Sequence, residues 1–102
     1  MKQNRVVIMS DPALRDLLKI EEYVALDSPT RAAVLVDRIL AKARGLARFA
    51  ERHPINPGRR PLELRAMMVG PYRVYFHVGP HQVMVVRGWH ASRRAPRAAD
   101  LT

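Results

Sequence analysis

The groups best suited to chemistry gather late in the chain. Arg87-Gly88-Trp89-His90 is followed two residues later by Arg93-Arg94. Guanidinium groups hold carboxylates and phosphates through paired N–H donors, and an imidazole changes charge near neutral pH. Anion binding, with or without proton transfer, is the chemistry this combination offers. Each residue also has a plain structural reading: a His at a strand end caps backbone or packs on a neighbour, and a single Trp fills a core.

The elements that must position these groups are three β-type runs split by Gly70-Pro71 and Gly79-Pro80. Gly/Pro pairs turn a chain but cannot continue a ladder, so Leu62 to Pro96 reads as a three-stranded antiparallel meander plus its exit. Alternation puts Tyr72, Val74, Phe76 and Val78 on one face of the middle run, opposite Arg73, Tyr75 and His77. The same rule gives Leu62, Leu64, Ala66 and Met68 a core face on the first run, with Glu63, Arg65 and Met67 behind. Val83 to Val86 is apolar on both faces, as expected of a strand with neighbours on both sides or covered front and back. Arg93, Arg94 and Arg97 lie in a tail, 91–102, that contains Pro96, is expected to bury little, and is left free for a partner.

Upstream, Arg5 to Met9 is a short β-branched run stopped by Ser10-Asp11-Pro12, a helix start with a capping side chain. Ala13, Leu17, Ile20 and Val24 then recur at helical spacing, with Leu14 and Leu18 widening the stripe and Arg15, Asp16, Lys19 and Glu22 facing away. Ser28-Pro29 repeats the cap signal and opens a longer helix with the stripe Ala32, Leu35, Val36, Ile39, Ala43, Leu46 and Ala50. The connection is so short that the two helices must form an antiparallel hairpin, whose stripes need the sheet as cover. On the second helix Arg44, Arg48 and Arg52 form one row of like charge. That row reads as a solvated face, or as a contact for an acidic segment or a phosphate backbone. His53 to Pro61, with three prolines, a glycine and the Arg59-Arg60 pair, reads as a linker.

One domain of 102 residues fits this inventory, and 48% hydrophobic residues argue for a folded core. A net charge of +9 calls for an acidic partner: nucleic acid, an anionic surface or an acidic protein. With no cysteine, disulfides and thiolate metal sites are excluded, and the four histidines lack zinc-site spacing, so neither metal nor cofactor is expected. No segment is apolar enough to cross a membrane or act as a signal peptide, which points to the cytoplasm and to no membrane partner.

Taken in order, strand, helix, helix and a meander ending in His then Arg resembles the RelE/ParE superfamily of toxins from bacterial type II toxin-antitoxin systems. The resemblance spans nearly the whole chain. It rests on Asp11-Pro12-Ala13 with Asp16-Leu17, on Pro57-Gly58-Arg59, on Leu64-Arg65, on Pro71-Tyr72-Arg73-Val74-Tyr75, and on Val85-Val86-Arg87-Gly88-Trp89-His90 with Arg93-Arg94. It implies an α+β fold: an N-terminal strand, an antiparallel two-helix hairpin and a three-stranded antiparallel meander, helices on one face. It also implies a cognate acidic, ParD-like antitoxin in a hetero-oligomer.

Two activities share that fold. ParE-like members poison DNA gyrase, and RelE-like members cut messenger RNA on the ribosome. Metal-free RNA cleavage needs a base, an acid and cations on the phosphate. The RelE likeness implies Glu63 as base, Arg65 and Arg73 on the phosphate, and His90 as acid. The tail, however, has no aromatic residue after Trp89 to stack on a base. The ending Arg-Gly-Trp-His-Ala-Ser-Arg-Arg is more similar to the ParE branch, which implies no catalytic set. There Arg65, Arg73, Arg87, His90, Arg93 and Arg94 would make partner contacts.

Overall fold

A computed structural model describes residues 4–56 and 63–101. The chain runs β1 (Val6–Met9), α1 (Asp11–Ala25), α2 (Pro29–Phe49), a 3-10 turn (Ala50–Arg52), β2 (Ile55–Asn56), β3 (Leu64–Val69), β4 (Tyr72–Val78) and β5 (Gln82–His90), closing on a second 3-10 turn (Ala98–Leu101). Both helices start as their caps dictate. Ser10 accepts from the Ala13 N–H at 3.1 Å and Ser28 from the Arg31 N–H at 3.2 Å, each with a proline in the first turn.

The meander forms as expected, with β4 between β3 and β5, and Gly70 makes the first turn at φ 58°, a backbone conformation glycine adopts without penalty. The sheet is nevertheless larger than a three-stranded meander plus one strand. It has five strands in the order β1-β5-β4-β3-β2, and β1 runs parallel to β5, pairing Val6 with Gln82 and Met9 with Val85. β2 is two residues at an edge, inside a stretch read as linker, and it follows Pro54. Pro57-Gly58-Arg59, Arg60 and Leu62 lie outside the described residues.

Both helices pack on one face. Ala13, Ile39, Ala43, Leu46 and Ala50 meet Met67, Val69, Val74, Phe76, Val83 and Val85 there. The expected stripe of α2 is buried or half-buried throughout, and Gly45 leaves that helix unbroken. On β3 the faces are reversed from the sequence reading. Met67 and Val69 point to the helices, whereas Leu64 and Ala66 point away and Met68 is exposed. Register decides this: Met67 sits opposite Val74 and Ala66 opposite Tyr75, so each shares its partner's face. Arg65 makes the Met67 face read as the outer one, but its guanidinium reaches the carbonyls of Glu51 and His53 at the sheet's end and leaves Met67 and Val69 to meet the helices.

The second face of the sheet, read as polar, is a smaller core. Leu64, Tyr75, Val86 and Trp89 are buried there, with Ala66, Met84, Ala95 and Leu101 packed around them. The cover is the chain's own tail. Pro96 is fully buried and Asp100 pins the tail's fold, accepting from Arg94 Nη1 and from the Arg97 N–H, both at 2.8 Å. The tail is therefore not free.

Candidate functional site

The carboxyl end of β5 gains its shape from a strand that stops short. β1 ends at Met9, so beyond Val85 and Val86, whose carbonyls bond Ser10, that side of β5 has no strand beside it. Asp16 of α1 takes over. Its carboxylate accepts from Arg87 Nε at 2.6 Å, Arg87 Nη2 at 2.8 Å and the Gly88 N–H at 3.0 Å. Asp16 is 7% exposed, contrary to its expected outward placement. The Asp16 contact, more than anything else, holds the Arg87 guanidinium above its ordinary pKa, against the opposing effect of burial.

An irregularity in pairing at Tyr75/Phe76 lets β5 keep both faces apolar and still turn Arg87 towards the tail: Tyr75 pairs with Arg87 and Phe76 with Val85, leaving Val86 unopposed. Arg87 also donates through Nη1 to the Asp100 carbonyl. Trp89 lies between cations, with the Arg93 guanidinium 3.8 Å and that of Arg87 4.8 Å from its ring centroid. Tyr75 meets it edge-on.

His90 sits on the helix side of the sheet, paired with Tyr72 and edge-on to its ring at 5.6 Å. Its Nδ1 accepts from the Ser92 N–H at 3.1 Å and lies 2.8 Å from Ser92 Oγ, so the neutral ring carries its proton on Nε2. Next to it runs a groove of about 470 Å³ whose walls include Lys19, Tyr23, Tyr72, His90 and Arg93. A second depression of about 520 Å³, between the start of α2 and the Gly70-Pro71 turn, shares Tyr23, Tyr72 and His90 with it. Tyr72 is buried, and burial first, then Tyr23, raises its phenol pKa. Tyr23, in the wall of both, is 72% exposed.

The residues singled out from sequence do not converge. Arg87, Arg93 and Arg94 gather at the tail, engaged with Asp16, Trp89 and Asp100. Arg73 pairs with Trp89 and Met68 on the tail side, so the sheet separates its side chain from that of His90. Arg65 lies at the far end, where Nη1 donates to the carbonyls of His53 at 2.7 Å and Glu51 at 3.3 Å. Glu63 is beside His77, whose Nδ1 is 3.0 Å from its carbonyl oxygen. From there to Tyr72, the partner of His90, is five residues of β4, roughly 16 Å. Arg73 and Glu63 do not form the cross-strand pair that alternation allows.

Asp16 was the residue that sequence reasoning missed as part of this site. A signal existed: it is three residues after Ala13 and four before Ile20, hence at the margin of the buried stripe rather than opposite it. Among the described residues no His/Cys/Asp/Glu cluster could hold a metal ion, and no helix is long and apolar enough to cross a membrane.

The hairpin of helices on one face of a mixed sheet, with the end of β5 held from α1, can now be set beside known proteins. The family described as ParE toxin of type II toxin-antitoxin system, parDE, matches residues 7–95, and the chain belongs to it. Among solved structures it is similar to a chain of the chromosomal ParDE system from P. aeruginosa (TM-score 0.71, 22% identity), over 85% of this chain and 96% of that one. It is also similar to a chain of the RelBE2 toxin-antitoxin complex from Mycobacterium tuberculosis (TM-score 0.61, 25% identity), over 89% and 95%. No curated protein matches.

Proposed function

We propose that this chain is a cytoplasmic toxin that acts by binding DNA gyrase and is neutralised by a cognate acidic antitoxin. The observation that carries the reading is the separation of Glu63 from His90. Proton transfer to and from one ribose-phosphate unit needs both groups within hydrogen-bond reach of it. Here they stand at opposite ends of β4, and the one carboxylate in the His90 groove, Asp16, is committed to Arg87 and Gly88. A site of cations and aromatics in which Glu63 and His90 are not brought together suits binding. Membership of the ParE family agrees with that.

The antitoxin is proposed from two facts. The net charge of +9 leaves most cations unanswered within the chain, and both similar structures come from toxin-antitoxin systems. Its segment fits the continuous groove over Tyr23, Tyr72 and His90, where apolar surface is bordered by Lys19, Arg31 and Arg38. The tail-side face of the sheet is already covered by the chain's own tail.

The likeness to the RelBE2 complex keeps a ribosome-dependent ribonuclease as the second reading. One assay separates the two. Purified chain is added to supercoiling gyrase and, separately, to translating ribosomes. Loss of supercoiling or trapped cleaved DNA, with intact messenger, is the expected result; cut messenger with normal supercoiling overturns the proposal.

A further inference from the structure

The chain's charge is lopsided in a way the groove does not use. From Arg38 onward it carries thirteen of its eighteen Lys and Arg residues but only three of its nine Asp and Glu residues. In the fold much of that excess lies along the second half of α2 and the turn that follows. Arg44, Arg48 and Arg52 are exposed, and no ion pair among the described residues involves them. Glu51, the acid within this stretch, is taken by Arg5 at 3.2 Å. The field of this pole is felt inside the protein. The His53 imidazole is held below its ordinary pKa, first by burial and then by Arg52, Lys42 and Arg65.

We infer that Arg44, Arg48 and Arg52 form a ridge that docks on the phosphate backbone of duplex DNA, without sequence preference. Three features favour this occupant. Arg44 and Arg48 stand one turn apart on α2, roughly 6 Å along its axis, and Arg52 follows in the 3-10 turn, while each strand of a duplex presents a charge every 3.4 Å or so along its axis. The ridge is separate from the grooves at Tyr72 and His90, whose walls include none of the three arginines. A peptide that folds on contact needs an extended apolar surface to bury, whereas the large apolar side chain beside these arginines, Phe49, is 42% exposed and already has guanidiniums over its ring. Finally, single-strand binders present open aromatic faces for stacking. Here Phe49 carries the guanidiniums of Arg52 and Arg48 over its ring, 4.9 and 5.9 Å from the centroid.

The inference goes beyond the gyrase reading and does not need it, since the contact is with DNA itself. For a toxin aimed at a DNA-bound enzyme, it would add an anchor beside the target. The test is fluorescence anisotropy of the full chain with a labelled duplex of arbitrary sequence, titrated across NaCl concentrations. Binding is expected to weaken linearly in log–log form. The triple variant Arg44→Gln, Arg48→Gln, Arg52→Gln should flatten the slope by about 2.7, three contacts at about 0.9 each, and weaken binding about tenfold or more at low salt. Arg15→Gln, an exposed change on α1, should move the slope by less than about 0.3. Equal slopes for wild type and triple variant overturn the inference. So does an Arg15→Gln effect as large as that of each ridge substitution, which assigns binding to net charge alone. So does loss of antitoxin binding in the triple variant with DNA binding intact, which makes the ridge a protein contact. All positions are solvent-facing, so a matching thermal melt confirms that the variants fold. Supercoiling assays run on the same proteins report on the gyrase reading independently.

Discussion

Asp16 and Arg87, 71 residues apart in sequence, meet through two hydrogen bonds of 2.6 and 2.8 Å, with side chains only 9% and 17% exposed. The pair joins the first helix to the last strand where no strand edge can. Its geometry is fork on fork, the arrangement in which Arg and carboxylate bind most firmly. Removing the acid leaves a guanidinium with little water and an orphaned Gly88 N–H. Asp16→Ala is therefore expected to cost about 3–5 kcal/mol in denaturant unfolding. Asp16→Leu together with Arg87→Met should recover the part of that loss due to the unpaired charge, while the Gly88 N–H and the Asp100 carbonyl stay without these partners. A loss below about 1 kcal/mol for the single change would show that water reaches the pair.

Ile39 is mid-stripe on α2 and 3% exposed. Ile39→Ala should cost about 2–5 kcal/mol, the transfer term plus the cavity left between helix and sheet. Urea melts at constant m-value check it.

Gly45 offers the opposite case. A methyl group built there meets nothing within 4 Å, and the residue is inside a regular helix. Gly45→Ala is expected to stabilise the protein by about 0.5–1 kcal/mol, through lower chain entropy in the unfolded state. A melting temperature at or below that of the wild type would contradict it.

The tail should respond to acid. The Arg94 hydrogen bond, then the Arg97 N–H, holds the Asp100 carboxyl at about 2, down from an ordinary 3.8. A folded-state value below the unfolded one means that the contact stabilises fully above about pH 4 and is lost as pH falls through about 2. Trp89 emission, recorded from pH 6 downwards, should report its uncovering in that window. Asp100→Asn should make Trp89 more accessible to acrylamide at neutral pH; unchanged quenching would show that the apolar contacts of Pro96 and Leu101 hold the tail alone.

His90→Gln divides binding from catalysis. Loss of an acid in RNA cleavage costs on the order of 10² to 10⁴ in rate. If the chain works by binding gyrase, no proton moves, and the glutamine oxygen can still accept from Ser92. Toxicity of the variant should then fall by less than about tenfold, measured as the inducer level that arrests growth. Arrest abolished in a variant with an unchanged melt would favour the ribonuclease reading.

Much of this was legible in the sequence, and the gaps have definite causes. Ser10, Ser28 and their prolines set the starts of both helices because a cap is a local interaction. The stripe of α2 was legible because six turns repeat one pattern. On α1, by contrast, Leu14 and Leu18 proved largely exposed, since a stripe widened by two leucines does not say which side the sheet takes. The tail escaped for a different reason. Arg93, Arg94 and Arg97 made it read as a solvated segment, yet each contributes through a cation–π, ion-pair or backbone contact while Ala95, Pro96 and Leu101 do the covering. Composition is read residue by residue, whereas burial here depends on which face of a distant strand lacks a cover. The site followed suit: its clustered arginines were visible, and their partners, Asp16 and Asp100, were not.

The parallel pairing of β1 with β5 also bears on when the protein comes into being. Val6 lies against Gln82 and Ser10 bonds Val86, 76 positions later, so the first strand to be synthesised waits for the last. At about 5–20 residues per second that wait is roughly 4–15 s. Until β5 emerges, β1 has no strand to pair with and Asp16 no guanidinium to hold. A nascent chain is thus barred from completing its sheet until β5 has emerged, and one that stops before Gln82 lacks both the edge pairing and the His90 end of the groove.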